Sequence, residues 1–148
     1  MIKHMIFKKY YAALLFLLAL TGCSTMMSAF DQVAYQQVTS IRVDAINLME
    51  EATEDYTVHV KEVKALQLQI NKAIEYDKHR PHNEITNQMW AILNDPQRNL
   101  LGGFFVKWQH DGKCGAVYIQ EKIKQVGRSF DQIAELESKK IRPSEVSN

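Results

Sequence analysis

Apolar residues recur every three or four positions from Phe30 to Ala73, and this spacing is typical of an amphipathic helix. The chain holds neither glycine nor proline between residues 23 and 80, so no residue of this stretch interrupts a helix strongly. Ser28, with Asp31 three positions later, predicts the N-cap, and Pro81 predicts the end. We therefore expect helix from residue 29 to about residue 78.

The length of this helix leaves two architectures open. A continuous helix over residues 29–78 would be about 75 Å long, roughly twice the width of a compact domain of this size. The chain therefore forms either an elongated helical hairpin around one long helix or a small bundle that folds back near residues 53–57. The segment TEDYT weakens a helix without breaking it, so we expect the unbroken helix.

The second half of the chain also reads as helical. Asn83 predicts the cap of a short helix that ends at Asn94, before Pro96. From about Gly115, apolar positions step by four, three, four and three, which is a heptad seam that stays in phase across Gly127. The seam consists of Ile119, Ile123, Val126, Phe130 and Ile133. The fold class is all-α, with one long N-terminal helix, short middle helices and a C-terminal helix.

An apolar and aromatic patch, NLLGGFFVKW, separates the middle helix from the last one. Leu101, Phe105 and Trp108 share one helix face, and Phe104 lies beside them. Aromatic residues are favoured at interfaces, so these four are candidate partner-binding residues. The alternative is that they fill the core between the helices.

The first 22 residues have the organisation of a secretory signal. Residues 1–10 carry Lys3, Lys8 and Lys9 and no acidic residue, and residues 11–20 (YAALLFLLAL) are continuously apolar or aromatic. A basic start followed by a short apolar run and small residues is typical of a signal peptide. The run is shorter than the roughly 20 residues that a bilayer span requires.

Leu20-Thr21-Gly22-Cys23 resembles the lipobox of bacterial lipoproteins, an aliphatic residue and two small residues before a cysteine. The resemblance implies diacylglycerol on the Cys23 thiol, cleavage after Gly22, and a further acyl chain such as palmitate on the new amino group. Two or three chains give a stable anchor, whereas one is marginal. Ser24 follows the cysteine, which by the same resemblance favours the outer membrane, on its periplasmic face.

Removal of residues 1–22 leaves 126 residues, enough for one domain. The signal holds three of the 18 basic residues and none of the 17 acidic ones. The chain that remains therefore has 15 basic and 17 acidic residues, and its net charge is −2. This balance argues against a nucleic-acid binder. We expect a lipidated cysteine and tether (23–28), a helical domain (29–141) and a loose tail (142–148).

Two loose groups of side chains could be read as metal sites. His79 and His82 flank a proline, which matches no usual ligand spacing. His110, Asp111 and Cys114 form the other group, and Cys114 has no second cysteine to pair with once Cys23 carries lipid. Solvated histidines and a buried cysteine are the expected outcome, and we predict no metal site.

The chain shows no catalytic motif such as G-x-S-x-G, H-E-x-x-H or a phosphate-binding loop. An acidic run, Glu50, Glu51, Glu54 and Asp55, is expected to be a solvated face. We therefore expect a protein without catalytic activity and with no cofactor beyond the covalent lipid.

These observations predict an envelope lipoprotein that acts through protein–protein contacts as an accessory, adaptor or exclusion factor. Its partners would be the membrane, through the lipid anchor, and an envelope protein, and the heptad seam also allows homo-oligomers. The alternative is a helical binding module for a small apolar or metal ligand, lined by the aromatic patch with His110 and Cys114.

Overall fold

The computed structural model describes residues 28–138, and this part of the chain is all-α, with no strand. The predicted signal peptide, Cys23 and the tail at 142–148 lie outside the described residues. The small helical bundle is confirmed. Its elements are α1 (Gln32–Glu50), two 3₁₀ turns (Glu51–Thr53 and Tyr56–Val58), α2 (Val60–Lys78), α3 (Glu84–Asn94), α4 (Leu101–Asp111) and α5 (Ala116–Glu137).

The long N-terminal helix is broken, so the prediction of one continuous helix over residues 29–78 is wrong. Glu54 and Asp55 have extended backbone, with ψ of 167° and 130°. The Asp55 carboxylate accepts hydrogen bonds from the Thr57 amide at 3.0 Å and from the Thr57 hydroxyl at 2.6 Å. Such side-chain bonds offer the backbone an alternative to the helix, and they stabilise the reversal between α1 and α2.

Contacts from distant residues hold this reversal in place. The Tyr56 amide donates to the Gly112 carbonyl at 2.8 Å, and the Cys114 amide donates to the Ala52 carbonyl at 2.8 Å. Both bonds join the α1–α2 connection to the α4–α5 connection. Because the partners are about sixty residues apart in sequence, the local pattern of TEDYT alone does not predict the break.

Two predicted caps differ in detail from the structure. The N-cap of α1 is Asp31, whose carboxylate accepts from the Ala34 amide at 2.9 Å, so α1 begins at Gln32 and Ser28 lies outside it. Asn83 occupies the N-cap position of α3, but its side chain makes no cap bond there. Its position in the fold is set instead by tertiary contacts described below.

The bundle is organised around α1, which packs against both α2 and α5. Helix α3 contacts α2 and α5, and α4 packs on α3 and on the second 3₁₀ turn. The predicted heptad seam forms the side of α5 that faces the core of the bundle, and α5 runs through Gly127 without a break. Its members Ile119, Val126, Phe130 and Ile133 are buried and Ile123 is partly buried.

The antiparallel helices give the bundle two distinct ends. We call N-terminal end the one that contains residues 28–31, the connection between α2 and α3, and the last residues of α5. We call loop end the one that contains residues 51–59 and 111–117. Helix α1 runs between them over 19 residues, or about 28 Å. None of the helices within residues 28–138 combines the length and the hydropathy that a bilayer crossing requires.

Candidate functional site

The four candidate partner-binding residues lie in the core. Leu101, Phe104 and Trp108 are 0% exposed and Phe105 is 3% exposed. They form no accessible surface in this structure, and the interpretation in which they fill the core is the one that the structure shows. The physical reason is that the apolar side of α4 packs against α3 and the second 3₁₀ turn, and Phe104 also contacts Tyr118 of α5.

Ring contacts explain how α4 is held. The Phe104 ring stacks on Tyr118 of α5, with centroids 5.9 Å apart and planes within 4°. Trp108 meets Tyr56 edge to face at 5.5 Å, and its indole nitrogen donates to the Glu54 carbonyl at 3.0 Å. The aromatic patch therefore connects the last helix to the α1–α2 reversal.

The group at His110, Asp111 and Cys114 does not converge. Cys114 is buried, and burial raises the pKa of its thiol, which keeps it protonated and unreactive. The exposed His110 ring pairs instead with its neighbour Asp111, at 2.7 Å. These positions do not form a group of three close ligand atoms in the described chain.

The two histidines on either side of Pro81 also contact different residues. His79 is exposed and pairs with Glu75 of its own helix at 3.1 Å. His82 has a positive φ of 57°, and its carbonyl accepts from the Ser28 amide at 2.9 Å. The contribution of His82 to the fold is therefore a backbone contact.

The acidic run contributes one compact group at the loop end. Glu51, Glu54 and His59 bring one ligand atom each to within 4.8 Å of the others. His59 is 3.1 Å from Glu54, and its ring lies 5.4 Å from that of Trp108. Both carboxylates are exposed, and the pairing of His59 with Glu54 accounts for the arrangement without an ion.

A buried polar network at the N-terminal end is the most specific feature of the described chain. The guanidinium of Arg80 donates to Asp77 at 2.9 Å and to Glu137 at 2.7 Å, and these side chains are 10%, 4% and 2% exposed. Trp90 donates its indole N–H to the second Asp77 oxygen at 2.9 Å. Thr86 donates to the second Glu137 oxygen at 3.1 Å. The network thus joins α2, α3 and α5.

The same guanidinium also holds the segment that precedes α1. Its second terminal nitrogen donates to the Ala29 carbonyl at 2.9 Å and lies 3.3 Å from the Ser28 hydroxyl. That hydroxyl donates to the Asn83 side chain at 3.1 Å, and Asn83 donates to the Asp77 carbonyl at 3.1 Å. Residues 28 and 29 are therefore attached to the bundle before the first helix begins.

Asp31 completes the attachment from the α1 side. One of its oxygens caps α1 through Ala34, and the other accepts from the Tyr76 hydroxyl at 2.8 Å. The Ala34 bond is the largest of the effects that lower the pKa of Asp31, and Arg80 lowers it further. Because the pKa is lowered, Asp31 stays ionised to a lower pH than an ordinary aspartate does.

The electrostatics of the network rest on one cation between two carboxylates. Burial works to lower the pKa of Arg80, but its bonds to Asp77 and Glu137 outweigh burial and raise it. Burial raises the pKa of Glu137, and the Arg80 bond only partly offsets that effect. A buried ion pair is costly to desolvate and costly to break, so each group depends on the others.

The space beside the network is small. A cavity of about 10 Å³ is lined by side chains that include Ser28, Asn83 and Thr86, which is room for about one water molecule. The network groups bond to one another rather than towards an open cleft. This arrangement is suited to holding three helices and the N-terminal segment together.

Sequence reasoning missed this network, although a signal was present. The apolar stripe of α2 continues through Ile70 and Ala73 and reaches Asp77 four residues later. The stripe of α5 reaches Glu137 four residues after Ile133. A charged residue at a core-facing position calls for a buried partner, and Arg80 is the cation that supplies it.

In the comparisons with known proteins, no family model, curated protein or solved structure matches this chain.

Proposed function

We propose that this chain is a lipid-anchored lipoprotein of the bacterial envelope that acts without catalysis, as a rigid helical body that presents its loop end to an envelope protein. The observation that carries the proposal is the network around Arg80. It fastens Ser28 and Ala29 to three helices, and these residues closely follow Cys23, the predicted lipidated residue.

The tether that this proposal requires is short. Ser28 is five positions after Cys23, and this stretch spans about 18 Å at full extension. The body that follows is attached at its first described residues, so the chain has no long flexible linker between a lipid at Cys23 and the bundle. The bundle would stay close to the membrane instead of reaching across the periplasm.

The loop end is then the part of the body farthest from the lipid. It lies about 28 Å from the N-terminal end along α1, and two backbone bonds join its connections. Val58 and Val117 are 65% and 79% exposed there. Since Leu101, Phe104, Phe105 and Trp108 are buried, the exposed loop end replaces them as the proposed contact surface.

The lipid anchor is tested first. Cells that produce the protein with Cys23→Ala should lose it from the membrane fraction, because no thiol remains to be acylated. Mass spectrometry of the wild-type N-terminal peptide should show diacylglycerol on Cys23 and a free or acylated amino group. A wild-type peptide that keeps residues before Cys23, or carries no lipid, would refute the anchor.

The partner contact is tested by photocrosslinking in intact cells. A photoreactive amino acid replaces Val58 or Val117 at the loop end, and Gln67, an exposed residue in the middle of α2, serves as the control position. We expect one envelope protein to be joined from the loop-end positions and not from Gln67. Equal crosslinking from all three positions would contradict a specific contact at this end.

The ligand-binding alternative gains no support from the geometry. The aromatic side chains that would line its site fill the core, and His110 lies on the surface while Cys114 is buried.

A further inference from the structure

Three large apolar side chains are exposed around the N-terminal end of the bundle. Phe30 is 50% exposed, Val33 is 48% exposed and Tyr76 is 37% exposed. The Phe30 ring lies 6.2 Å from that of Tyr35, and the two ring planes are tilted by 51°. We call Phe30, Val33 and Tyr76 the apolar rim.

The apolar rim has a fixed position on the bundle. Phe30 lies between Ala29, whose carbonyl accepts from Arg80, and Asp31, the N-cap of α1. The hydroxyl of Tyr76 is held by the Asp31 carboxylate at 2.8 Å. Val33 is in the first turn of α1. A contact made by the rim would therefore set the orientation of the whole bundle.

From the length of chain that precedes the rim, we propose that the apolar rim rests in the headgroup region of the bilayer that holds the lipid, so that the bundle stands end-on. This inference rests on the proposed lipid anchor at Cys23. Phe30 is seven positions after Cys23, which is about 25 Å at full extension. The acyl chains thus keep the rim within reach of the bilayer surface at every moment.

The chemistry of the rim suits a membrane interface. Tyrosine combines an apolar ring with a polar hydroxyl, and such aromatic residues concentrate at the headgroup level. Three side chains are too few to recruit a free protein to a bilayer. The tether makes the contact intramolecular and raises the effective concentration, so a weak apolar contact is enough to orient the body.

Among the described residues at this end, Lys78 pairs with Glu75 of its own helix at 3.5 Å. Since the proposed contact is made by apolar side chains, we expect it to persist at high salt, where exposed charges are screened.

The test uses the full lipidated protein in vesicles of phosphatidylethanolamine and phosphatidylglycerol. A nitroxide label is attached through Ala29→Cys, next to the rim, or through Thr57→Cys at the loop end, each in a Cys114→Ala background. Collision of the label with oxygen, which enriches in lipid, is compared with collision with a water-soluble nickel complex. We expect the label at residue 29 to gain oxygen contact and lose nickel contact on reconstitution, and the label at residue 57 to change little.

A matched pair of variants separates the rim from exposed apolar residues in general. The double variant Phe30→Ser/Val33→Ser should restore nickel contact at residue 29 while leaving the protein in the membrane. Val43→Ser with Leu68→Ser serves as the control, since Val43 and Leu68 are 52% and 54% exposed on the helices away from this end. The control pair should leave the label at residue 29 protected.

The possible failures are distinguishable. A Cys23 peptide without lipid, seen by mass spectrometry, overturns the anchor and with it the proposed function. A lipidated protein whose label at residue 29 is as open to nickel as the label at residue 57 overturns the end-on contact alone. Protection of residue 29 without vesicles, together with a dimer in sedimentation, would assign the rim to a second copy of the chain and would also overturn it.

Discussion

At the scale of single residues, the decisive group is Arg80, the cation between Asp77 and Glu137. The three side chains are almost completely buried, and Arg80 donates a bond to each of the two carboxylates. Removing a polar group from such a set leaves its partners buried and uncompensated, which costs more than the bond itself contributes. The N-terminal end should therefore be the most sensitive polar region of the bundle.

Arg80→Met should destabilise the body by about 3–5 kcal/mol, because two carboxylates then remain buried without a cation. Urea unfolding of the variant, followed by circular dichroism, measures the free energy of unfolding. Arg128→Met is the matched control, since Arg128 is exposed on α5 and its loss should change this free energy by less than about 0.5 kcal/mol. Equal effects of the two changes would show that the network adds little.

Asp31 and Glu137 should make the free energy of unfolding depend on pH in opposite directions. The pKa of Asp31 is lowered from 3.8, so its contribution is present above that pH and is lost as the pH falls below it. The pKa of Glu137 is raised from 4.5, so its contribution is present at low pH and is lost as the pH rises through its folded pKa.

Asp31→Asn tests the acid side of this dependence. Asparagine still caps a helix but carries no charge to titrate. The free energy of unfolding should fall less steeply for the variant than for the wild type between pH 4 and pH 3, as followed by urea unfolding at each pH. Parallel curves over that interval would show that Asp31 does not contribute to acid sensitivity.

At the scale of elements, the apolar pattern predicted where helices form, whereas the positions of the connections between them depend on tertiary contacts. The heptad seam of α5 and the helical content of residues 32–50 and 60–78 follow from local spacing. The break between α1 and α2 depends on Gly112 and Cys114, which bond to Tyr56 and Ala52 across about sixty residues.

The start of α4 is set by how closely its backbone approaches the preceding loop. A Cβ on Gly102 would overlap the main chain of Asn94 and Asp95, and a Cβ on Gly103 would overlap that of Arg98. Backbone atoms cannot rotate away as a side chain can. The paired glycines of the sequence patch therefore serve helix packing.

Gly102→Ala should destabilise the bundle by about 1–3 kcal/mol, as overpacking does in a well-packed core. Gly115→Ala is the control, because no atom lies within 4 Å of its added methyl group. Thermal unfolding followed by circular dichroism should show a lowered midpoint for the first variant and little change for the second. A midpoint for Gly102→Ala that equals the wild-type value would contradict the close approach.

At the scale of the whole molecule, the break turns a hairpin into a bundle with two ends of different character. Tyr76, near the end of α2, reaches Asp31 at the start of α1, so the N-terminal segment and the α2–α3 connection lie together. This arrangement gives the proposed anchor a defined side of the body and leaves the loop end free for a partner.

Labels on Gln32 and Lys72 should report a short distance in solution. Forty residues of continuous helix would separate them by about 60 Å, whereas packed neighbouring helices have axes about 10 Å apart. Energy transfer between dyes at these exposed positions should therefore be high. A pair at Gln32 and Asn47, about 22 Å apart within α1 in either case, calibrates the measurement, and low transfer only for the first pair would restore the unbroken helix.

Local spacing in the sequence by itself determined the all-α class, the core-facing sides of α2 and α5 and the core membership of most apolar residues, because helical periodicity depends on neighbours three and four positions apart. Only the tertiary structure decided the break after Glu50, the burial of the aromatic patch and the network around Arg80. Each of these depends on groups that lie far apart along the chain. The sequence shows Asp77 and Glu137 as charged residues on apolar stripes. Only the packing of the ends of α2 and α5 shows that both pair with Arg80.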